Sequence, residues 1–499
     1  MELKELDRSA VADYKERPVR VLQFGEGNFL RAFVDWQIDI ANEKGVLDTA
    51  VTIVSPRFDE NRAIKLLKEQ QCVYHVLLEG IENGKPKREI RLISSVNDVL
   101  APEIPADYEK YVALITSPEF SFVVSNTTEA GIRYDKDDVL SDKPVTFPGK
   151  VTNLLWKRYK HFNGAADKGL VFICCELIEN NATTLHEYVL RHAREAGMPG
   201  AFIEWIDSAN IFVDTLVDRI VPGFPRDTID EVKAELGYDD NVVDKGEFYH
   251  LWAIGGKGYE TVAREFPLDK AGLHVLFMPS IKAFRDKKVR ILNGAHTSMV
   301  LGAYLAGHEI VGDCMADDTM RAYMSQALFN EIMPTLDLPK DDLEAFASAI
   351  FERFSNPFNR HLLLSIALNS QSKFRARVLP TIKEYVKRTG RLPKILTFSM
   401  AAFIAFYCGK KKEDGSFVGV RAAGNEYPIA DDQFVLDFFA GMTGKPAAEI
   451  AHAVLTNVDF WGSDLTAELP GFEASVAASL DAIFTKGAAK AIEEVVARA

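Results

Sequence analysis

Along the first half of the chain, short runs of β-branched and aromatic residues alternate with longer segments whose apolar positions recur at helical spacing. Residues 20–24 read as a strand, 28–42 as a helix and 50–55 as a second strand. Residues 73–78 and 89–94 predict a hairpin across the turn-rich Glu82-Asn83-Gly84-Lys85-Pro86. A helix near 107–115 leads into a strand at 122–125, and a strand at 170–174 lies between helical segments 151–161 and 182–196. Such alternation predicts an α/β fold with a largely parallel sheet covered on both faces. From about Lys288 the pattern changes. Segments 292–305, 317–333, 341–353, 360–368, 395–407 and 476–497 all carry helical spacing, and strand-like runs become scarce. The chain therefore reads as an α/β domain over 1–285 and a mostly α-helical domain over 286–499. The loop 409–415 reads as a solvated charge cluster.

Composition narrows the function classes. The 499 residues are 47% hydrophobic and 26% charged, as in ordinary globular proteins. Acidic residues number 72 against 58 lysines and arginines, a net charge of -14, which argues against a nucleic-acid or anionic-membrane partner. An anionic small molecule is still compatible, because a cationic pocket can sit in an acidic protein. The five cysteines (Cys72, Cys174, Cys175, Cys314, Cys408) form no C-x-x-C pair, and no H-E-x-x-H motif occurs, so no metal is expected. The first residues are charged rather than apolar, and the apolar stretch 396–408 is too short to span a bilayer. These features predict a cytoplasmic protein.

Candidate chemistry begins where the first strand runs into Gly25-Glu26-Gly27-Asn28-Phe29-Leu30-Arg31. A glycine-rich turn between strand and helix lets backbone approach a pyrophosphate, and the helix N-terminus offers unpaired N–H groups. Phe24, Gly25, Gly27, Asn28, Phe29 and Arg31 are accordingly the candidate cofactor residues. Leu30 occupies the place of a third glycine. The second strand ends Val54-Ser55-Pro56-Arg57 without the acid that would bind a ribose 2′-hydroxyl, which leaves NAD and NADP both open. Asn126 and Thr127, in Ser125-Asn126-Thr127-Thr128-Glu129-Ala130-Gly131, follow another strand and could bind the nicotinamide ribose.

The run Lys287-Lys288-Val289-Arg290-Ile291-Leu292-Asn293-Gly294-Ala295-His296-Thr297 places an amine, an amide and an imidazole together. On an α-helix Lys288, Asn293 and His296 share roughly 140° of arc. Reduction of a ketone needs a proton donor for the forming alkoxide and hydrogen-bond donors for its oxygen. A lysine whose pKa is lowered by burial or by neighbours such as Lys287 and Arg290 suits the first role, and asparagine amides suit the second. Gly294 would admit a substrate or a neighbouring backbone. Taken alone, these residues also fit a solvated lysine, a turn and a structural histidine.

The spacing Lys-x4-Asn-x2-His after a G-x-G-x-x-x-R turn resembles the polyol-specific long-chain dehydrogenases, the mannitol dehydrogenase family. The segments QFGEGNFLRAFVDWQID, SNTTEAGI, CELIENN, TLVDRIVP, KVRILNGAHT and ALNSQSKFRARVLP are similar to the branch acting on the sugar acids tagaturonate and altronate. The likeness implies a Rossmann-type N-terminal domain and NAD-dependent, metal-free reduction of D-tagaturonate to D-altronate in hexuronate catabolism. Fructuronate or a neutral polyol are the alternative substrates. A non-catalytic NAD-binding sensor is the reading from another class. By position the resemblance makes Lys288 the general acid/base and His296 its companion. Asn293 and Asn181 become the oxyanion-holding amides, with Asn180 the fallback for Asn181. It makes Asp218 and Lys373 substrate-binding residues. Arg375, or Arg377, could add bidentate recognition of a carboxylate. A monomer or a small homo-oligomer is expected.

Overall fold

The computed structural model describes residues 3–82, 85–128, 131–138, 143–357 and 360–498. They form two compact units, Met1–Lys282 and Ala283–Ala499. The tip of the hairpin turn, Asn83-Gly84, lies outside the described residues, as do Glu129 and Ala130.

The first unit is built on an eight-stranded sheet. In chain order its strands are β1 (Val19–Phe24), β2 (Ala50–Val54), β3 (Val96–Leu100), β4 (Phe122–Ser125), β5 (Val171–Cys174), β6 (Ile211–Asp218), β7 (Leu251–Gly255) and β8 (Val275–Met278). Their spatial order is β8-β7-β6-β5-β4-β1-β2-β3. The six strands from β3 to β6 are all parallel, in the 3-2-1-4-5-6 order of doubly wound dinucleotide-binding sheets. β7 reverses direction against β6, and β8 runs parallel to β7. Strands β2, β4 and β5 are buried along their whole length, which explains their mostly apolar sequences. Separate apolar cores pack on the two faces of the sheet. The hairpin of Tyr74–Glu82 and Lys85–Ile93 forms a second small sheet with Asp244–Gly246. β3, β6, β7 and β8 have no counterpart among the expected strands. Polar residues interrupt the apolar runs of β3 and β6, whereas β7 and β8 are short apolar runs.

Two helices of this unit matter for the site. α1 is a continuous run of Asn28–Leu30, a π turn at Arg31–Asp35, and Trp36–Glu43. α2 is Asn181–Glu195.

The second unit is helical around one apolar core. α3 begins as a π turn at Lys288–Gly294 and continues through Ala295–Ala306. It is followed, among others, by α4 (Lys340–Phe354), α5 (Ser370–Arg377), α6 (Lys394–Tyr407), α7 (Phe472–Lys486) and α8 (Ala488–Val496). From Ile395 to Tyr407 every residue of α6 is buried, and α3 and α7 pack on it. Such an all-round apolar helix belongs in the middle of a large domain. No helix among the described residues is long and apolar enough to cross a membrane.

Three expectations change here. The helix expected at 360–368 is a single turn, Leu363–Ile366, because the chain first pairs Leu362 with Ile310 in an isolated bridge. The helix expected at 476–497 is broken at Gly487, whose φ of +82° ends α7 before α8 starts. Within the charged loop, Lys410–Lys411 pairs with Phe417–Val420, which in turn pairs with Glu426–Pro428.

Candidate active site

β1 delivers the chain to Gly25 at the carboxyl edge of the sheet, at the point where β1 and β4 part. Gly25 has φ +133°, and a Cβ there would lie 2.9 Å from Leu30 Cδ1 and 3.1 Å from the Asn126 carbonyl oxygen. Only glycine fits that turn without strain. Gly27 differs: it is exposed, and no atom lies within 4 Å of where its Cβ would be. An open backbone position directly before the N-terminus of α1 fits a dinucleotide pyrophosphate.

The side chains around the turn are committed to holding it. Arg31 is buried; its Nε donates to the Glu26 carbonyl (3.1 Å), Nη2 to Asn28 Oδ1 (2.7 Å) and Nη1 to the Val242 carbonyl (2.5 Å). It also lies 3.7 Å from the Asp244 carboxylate and over the Tyr74 ring. Arg31 is therefore a brace for the glycine turn. The Phe24 ring is buried against Phe147 at 5.1 Å, so what Phe24 brings to the edge is its backbone. Phe29 is half-buried and stacks on Phe33. Asn28 is exposed. Behind the turn, Asp35 accepts from the Tyr74 hydroxyl (2.9 Å) and from Gln23 Nε2 (3.3 Å). Burial pushes the carboxyls of Asp35 and Asp244 up to about 7.

Past β2 the acid missing from the strand end arrives later. Ser55 Oγ donates to Asp59 Oδ1 at 2.6 Å, and exposed Arg57 sits 3.3 Å from the same carboxylate. Past β4, the Thr127 N–H and hydroxyl both donate to Glu176 Oε1 at 2.9 Å, and Ser125 Oγ donates to Oε2 at 3.1 Å. Glu176 is buried, and burial raises its pKa. It ties the ends of β4 and β5 together. Sequence reading missed it, although an acid placed straight after an apolar strand was a usable signal. Asn126 is half-buried beside Gly25.

Asn181 is fully buried, and its Nδ2 faces the carbonyls of Cys174 (2.9 Å), Glu176 (3.0 Å) and Thr215 (3.2 Å). Its Oδ1 accepts from the Ala182 and Thr215 N–H groups. Two amide hydrogens shared among three carbonyls leave none for a substrate oxygen. Asn181 thus clamps β5, α2 and β6 together. Asn180, next to it, is exposed in the left-handed conformation (φ 51°, ψ 51°) that asparagine tolerates. Asp218 is buried at the end of β6. It stands five residues past Val213, the last residue of β6 paired with β5, so it lies roughly 16 Å along the strand beyond that pairing.

In the second unit Lys288 and Asn293 of the expected trio lie in a π turn, and His296 follows in the α-helical part of α3. The turn's i→i+5 bonding brings residues five apart towards one side, so Lys288 and Asn293 converge more closely than α geometry allows. Lys288 is buried and Asn293 half-buried. A Cβ on Gly294 would stand 3.0 Å from the Arg377 carbonyl, so this glycine lets the end of α5 pack against the turn. Lys287 turns away to Asp342 (2.9 Å), between the rings of Phe284 and Phe346. Arg290 donates to Thr381 Oγ1.

His296 stacks on Phe354 (centroids 4.3 Å apart, planes 14°) and meets the edge of His361 at 5.3 Å. Its buried Nε2 has no hydrogen-bond partner. Burial, then the positive charges of His361, Arg377, Arg353 and Lys373, hold its pKa well below the usual histidine range. Lys373 donates to the Ile366 carbonyl at 2.9 Å. Arg377 lies one turn on from Lys373 and shares its face. Arg375 points elsewhere, towards the Asp459 carbonyl and Gly462, so Arg377 replaces it beside Lys373. Arg353 and His361 were not anticipated. Neither stands in a recognisable motif, and only folding brings them to His296.

Residues 19–267 match the mannitol dehydrogenase Rossmann domain, and residues 280–484 match the mannitol dehydrogenase C-terminal domain. This chain belongs to the mannitol dehydrogenase family. As a member it is an oxidoreductase acting on CH–OH groups of a small-molecule substrate, with a Rossmann domain suited to a nicotinamide cofactor. Altronate oxidoreductases of Escherichia coli O6:K15:H31 and Shigella flexneri are each 44% identical over 483 residues, covering 95% of this chain and 96% of theirs. Pseudomonas fluorescens mannitol 2-dehydrogenase, solved as a ternary complex with NAD and D-mannitol, superposes with a TM-score of 0.77 over 99% of this chain and 100% of that one. A substrate-free D-sorbitol dehydrogenase gives 0.78 over 98% and 100%. At 21% identity both establish a shared fold. No group of three or more His, Cys, Asp or Glu able to hold a metal occurs among the described residues of this family member.

Proposed function

We propose that this mannitol dehydrogenase family member reduces D-tagaturonate to D-altronate with NADH, reversibly and without a metal. The observation that carries the substrate assignment is the group of cations around His296. Lys373, Arg377 and Arg353 act together on a half-buried imidazole, and a neutral polyol gives such a group nothing to bind. A sugar acid supplies the carboxylate. The 44% identity to altronate oxidoreductases over nearly the whole chain supports the same substrate. NAD is favoured over NADP by Asp59 and Glu60, since a 2′-phosphate near Arg57 would also meet these carboxylates.

When bound, the dinucleotide supplies the hydride that adds to the ketone carbon. The Gly25–Gly27 turn, braced by Arg31, and the Thr127–Glu176 pair hold their backbones in place for it. Lys288, as ammonium, donates its proton to the oxygen as that atom gains charge. Asn293 donates an amide hydrogen to the same oxygen, and Asn180 is the second amide candidate in place of Asn181. The neutral amine left on Lys288 regains a proton from solvent. In altronate oxidation it is the base. His296, kept uncharged, orients the sugar rather than titrating.

The test is a panel of D-tagaturonate, D-fructuronate and D-fructose, each with NADH and NADPH. Tagaturonate with NADH is expected to show the highest kcat/KM. Faster turnover of fructuronate would move the assignment to the epimer. Turnover of fructose alone would end the sugar-acid reading.

A further inference from the structure

The cations near His296 do not act alone, because His361 packs against His296 and is close enough to Lys373 to feel its charge. Its ring meets His296 edge-on at 5.3 Å, and its own protonation is opposed by burial and then by the charge of Lys373. Its position is built in. The His361 carbonyl accepts from the Val311 N–H at 3.0 Å, and the Leu363 N–H donates to the Glu309 carbonyl at 2.9 Å. The next residue, Leu362, forms the bridge to Ile310. The segment therefore runs as a short extended strap, which is why the helix expected at 360–368 does not form before Leu363. Had that helix begun at residue 360, the His361 carbonyl would face along a helix axis instead of bonding Val311. The strap thus fixes a half-buried imidazole beside the amine of α5 and the imidazole of α3.

We propose that His361 is a specificity-determining residue whose ring N–H, together with Lys373, receives the carboxylate of the sugar acid. This inference rests on the sugar-acid reading above. An imidazole next to an ammonium is a poor place for a second cation but a good one for an anion. The anion accepts from both donors and offsets the charge that opposes protonation of the ring. A neutral ketose has no oxyanion for this pair, so His361 contributes to selecting the acid and not to the proton transfer at Lys288.

The experiment compares wild type, His361→Leu and His361→Asn with NADH, using tagaturonate, fructuronate and the neutral ketose D-fructose. Melting temperature and NADH binding are measured on each variant. Loss of one charge-assisted hydrogen bond corresponds to about 10- to 100-fold in affinity. His361→Leu is expected to raise KM for the preferred acid by about that factor, with kcat changed far less and fructose turnover unchanged or improved. His361→Asn keeps an N–H donor and is expected to recover most of the lost affinity. If His361→Leu folds and binds NADH, yet loses acid and fructose turnover equally or keeps wild-type KM for the acid, the inference is overturned. A wild type that accepts neither acid overturns the sugar-acid reading itself, and that arm is read before any variant is made.

Discussion

The glycine turn of the first unit and the π turn of the second use their distinctive residues in opposite ways. Around Gly25 the polar side chains bond to protein backbone or to one another. Arg31 braces three oxygens, Asn181 clamps three elements and Glu176 ties two strand ends. What they leave exposed is backbone, at Gly27. On the π turn and around His296 the distinctive groups are side chains: a lysine and an amide on the turn, and two imidazoles with three further cations around His296. The difference follows from what each region has to bind. A diphosphate shared by many substrates is met well by N–H groups and a helix terminus, whereas a proton transfer and a carboxylate need titratable groups at fixed positions. A motif residue in the first kind of region is therefore as often scaffold as ligand.

The contrast is tested most severely at Lys288. Lys288→Ala is expected to lower kcat by about 100- to 10,000-fold while NADH binding, followed by fluorescence, is unchanged. Substantial residual turnover would remove the lysine from the chemistry and leave the π turn without its central group. Next comes the asparagine pair. Asn181→Ala breaks a buried network and is expected to destabilise the first unit by about 2–4 kcal/mol in denaturant unfolding. Asn180→Ala is expected to leave stability nearly unchanged and to lower kcat. The reverse pattern would restore Asn181 to the oxyanion role.

Gly25→Ala and Gly27→Ala sharpen the backbone side of the comparison. The first forces a Cβ onto Leu30 and Asn126 at a positive φ, and should cost about 1–3 kcal/mol of stability as well as NADH affinity. The second meets no protein atom, so it should weaken NADH binding with the melting temperature unchanged. If neither variant affected NADH affinity, the turn would not be the cofactor site.

The smallest effect is the pH response, and its sign differs between the regions. Asp35 and Asp244 titrate near 7 in the fold, against about 4 when unfolded. Between those values the folded state holds more protons, so their contribution to stability falls as pH rises from 4 to 7. His296 is held well below its ordinary value, so below about pH 6.5 the unfolded state binds the extra proton and stability falls as pH drops. Hydrogen exchange, corrected for its intrinsic pH dependence, should show Arg31–Asp35 better protected at pH 5 than at pH 8, and the start of Ala295–Ala306 less so. Asp35→Asn should weaken the first trend. Movement of both segments in one direction would remove the electrostatic difference between them.

Much of this was readable from residues in order. Of the six parallel strands up to β6, four were anticipated in place or nearly so, at 20–24, 50–55, 122–125 and 170–174, each a short, mostly apolar run. Strand burial on both faces leaves an unbroken apolar signature. The turn after β1 and the lysine, asparagine and histidine of α3 were visible because their spacing is local. Arg353 and His361 were not, since they reach His296 from different elements, and neither was the choice of Arg377 over Arg375. That choice depends on which face of α5 looks at α3.

By itself, the order of residues determined most of the elements of the first half, the succession of an α/β part by a helical one, and the chemistry concentrated in a few short motifs, because hydrophobic period and glycine placement act over a few residues. Only tertiary structure decided which polar groups are consumed in holding the fold and which are left to face a ligand. A hydrogen-bonding side chain has a fixed number of donors and acceptors, and whether carbonyls from distant strands have already taken them is set by packing.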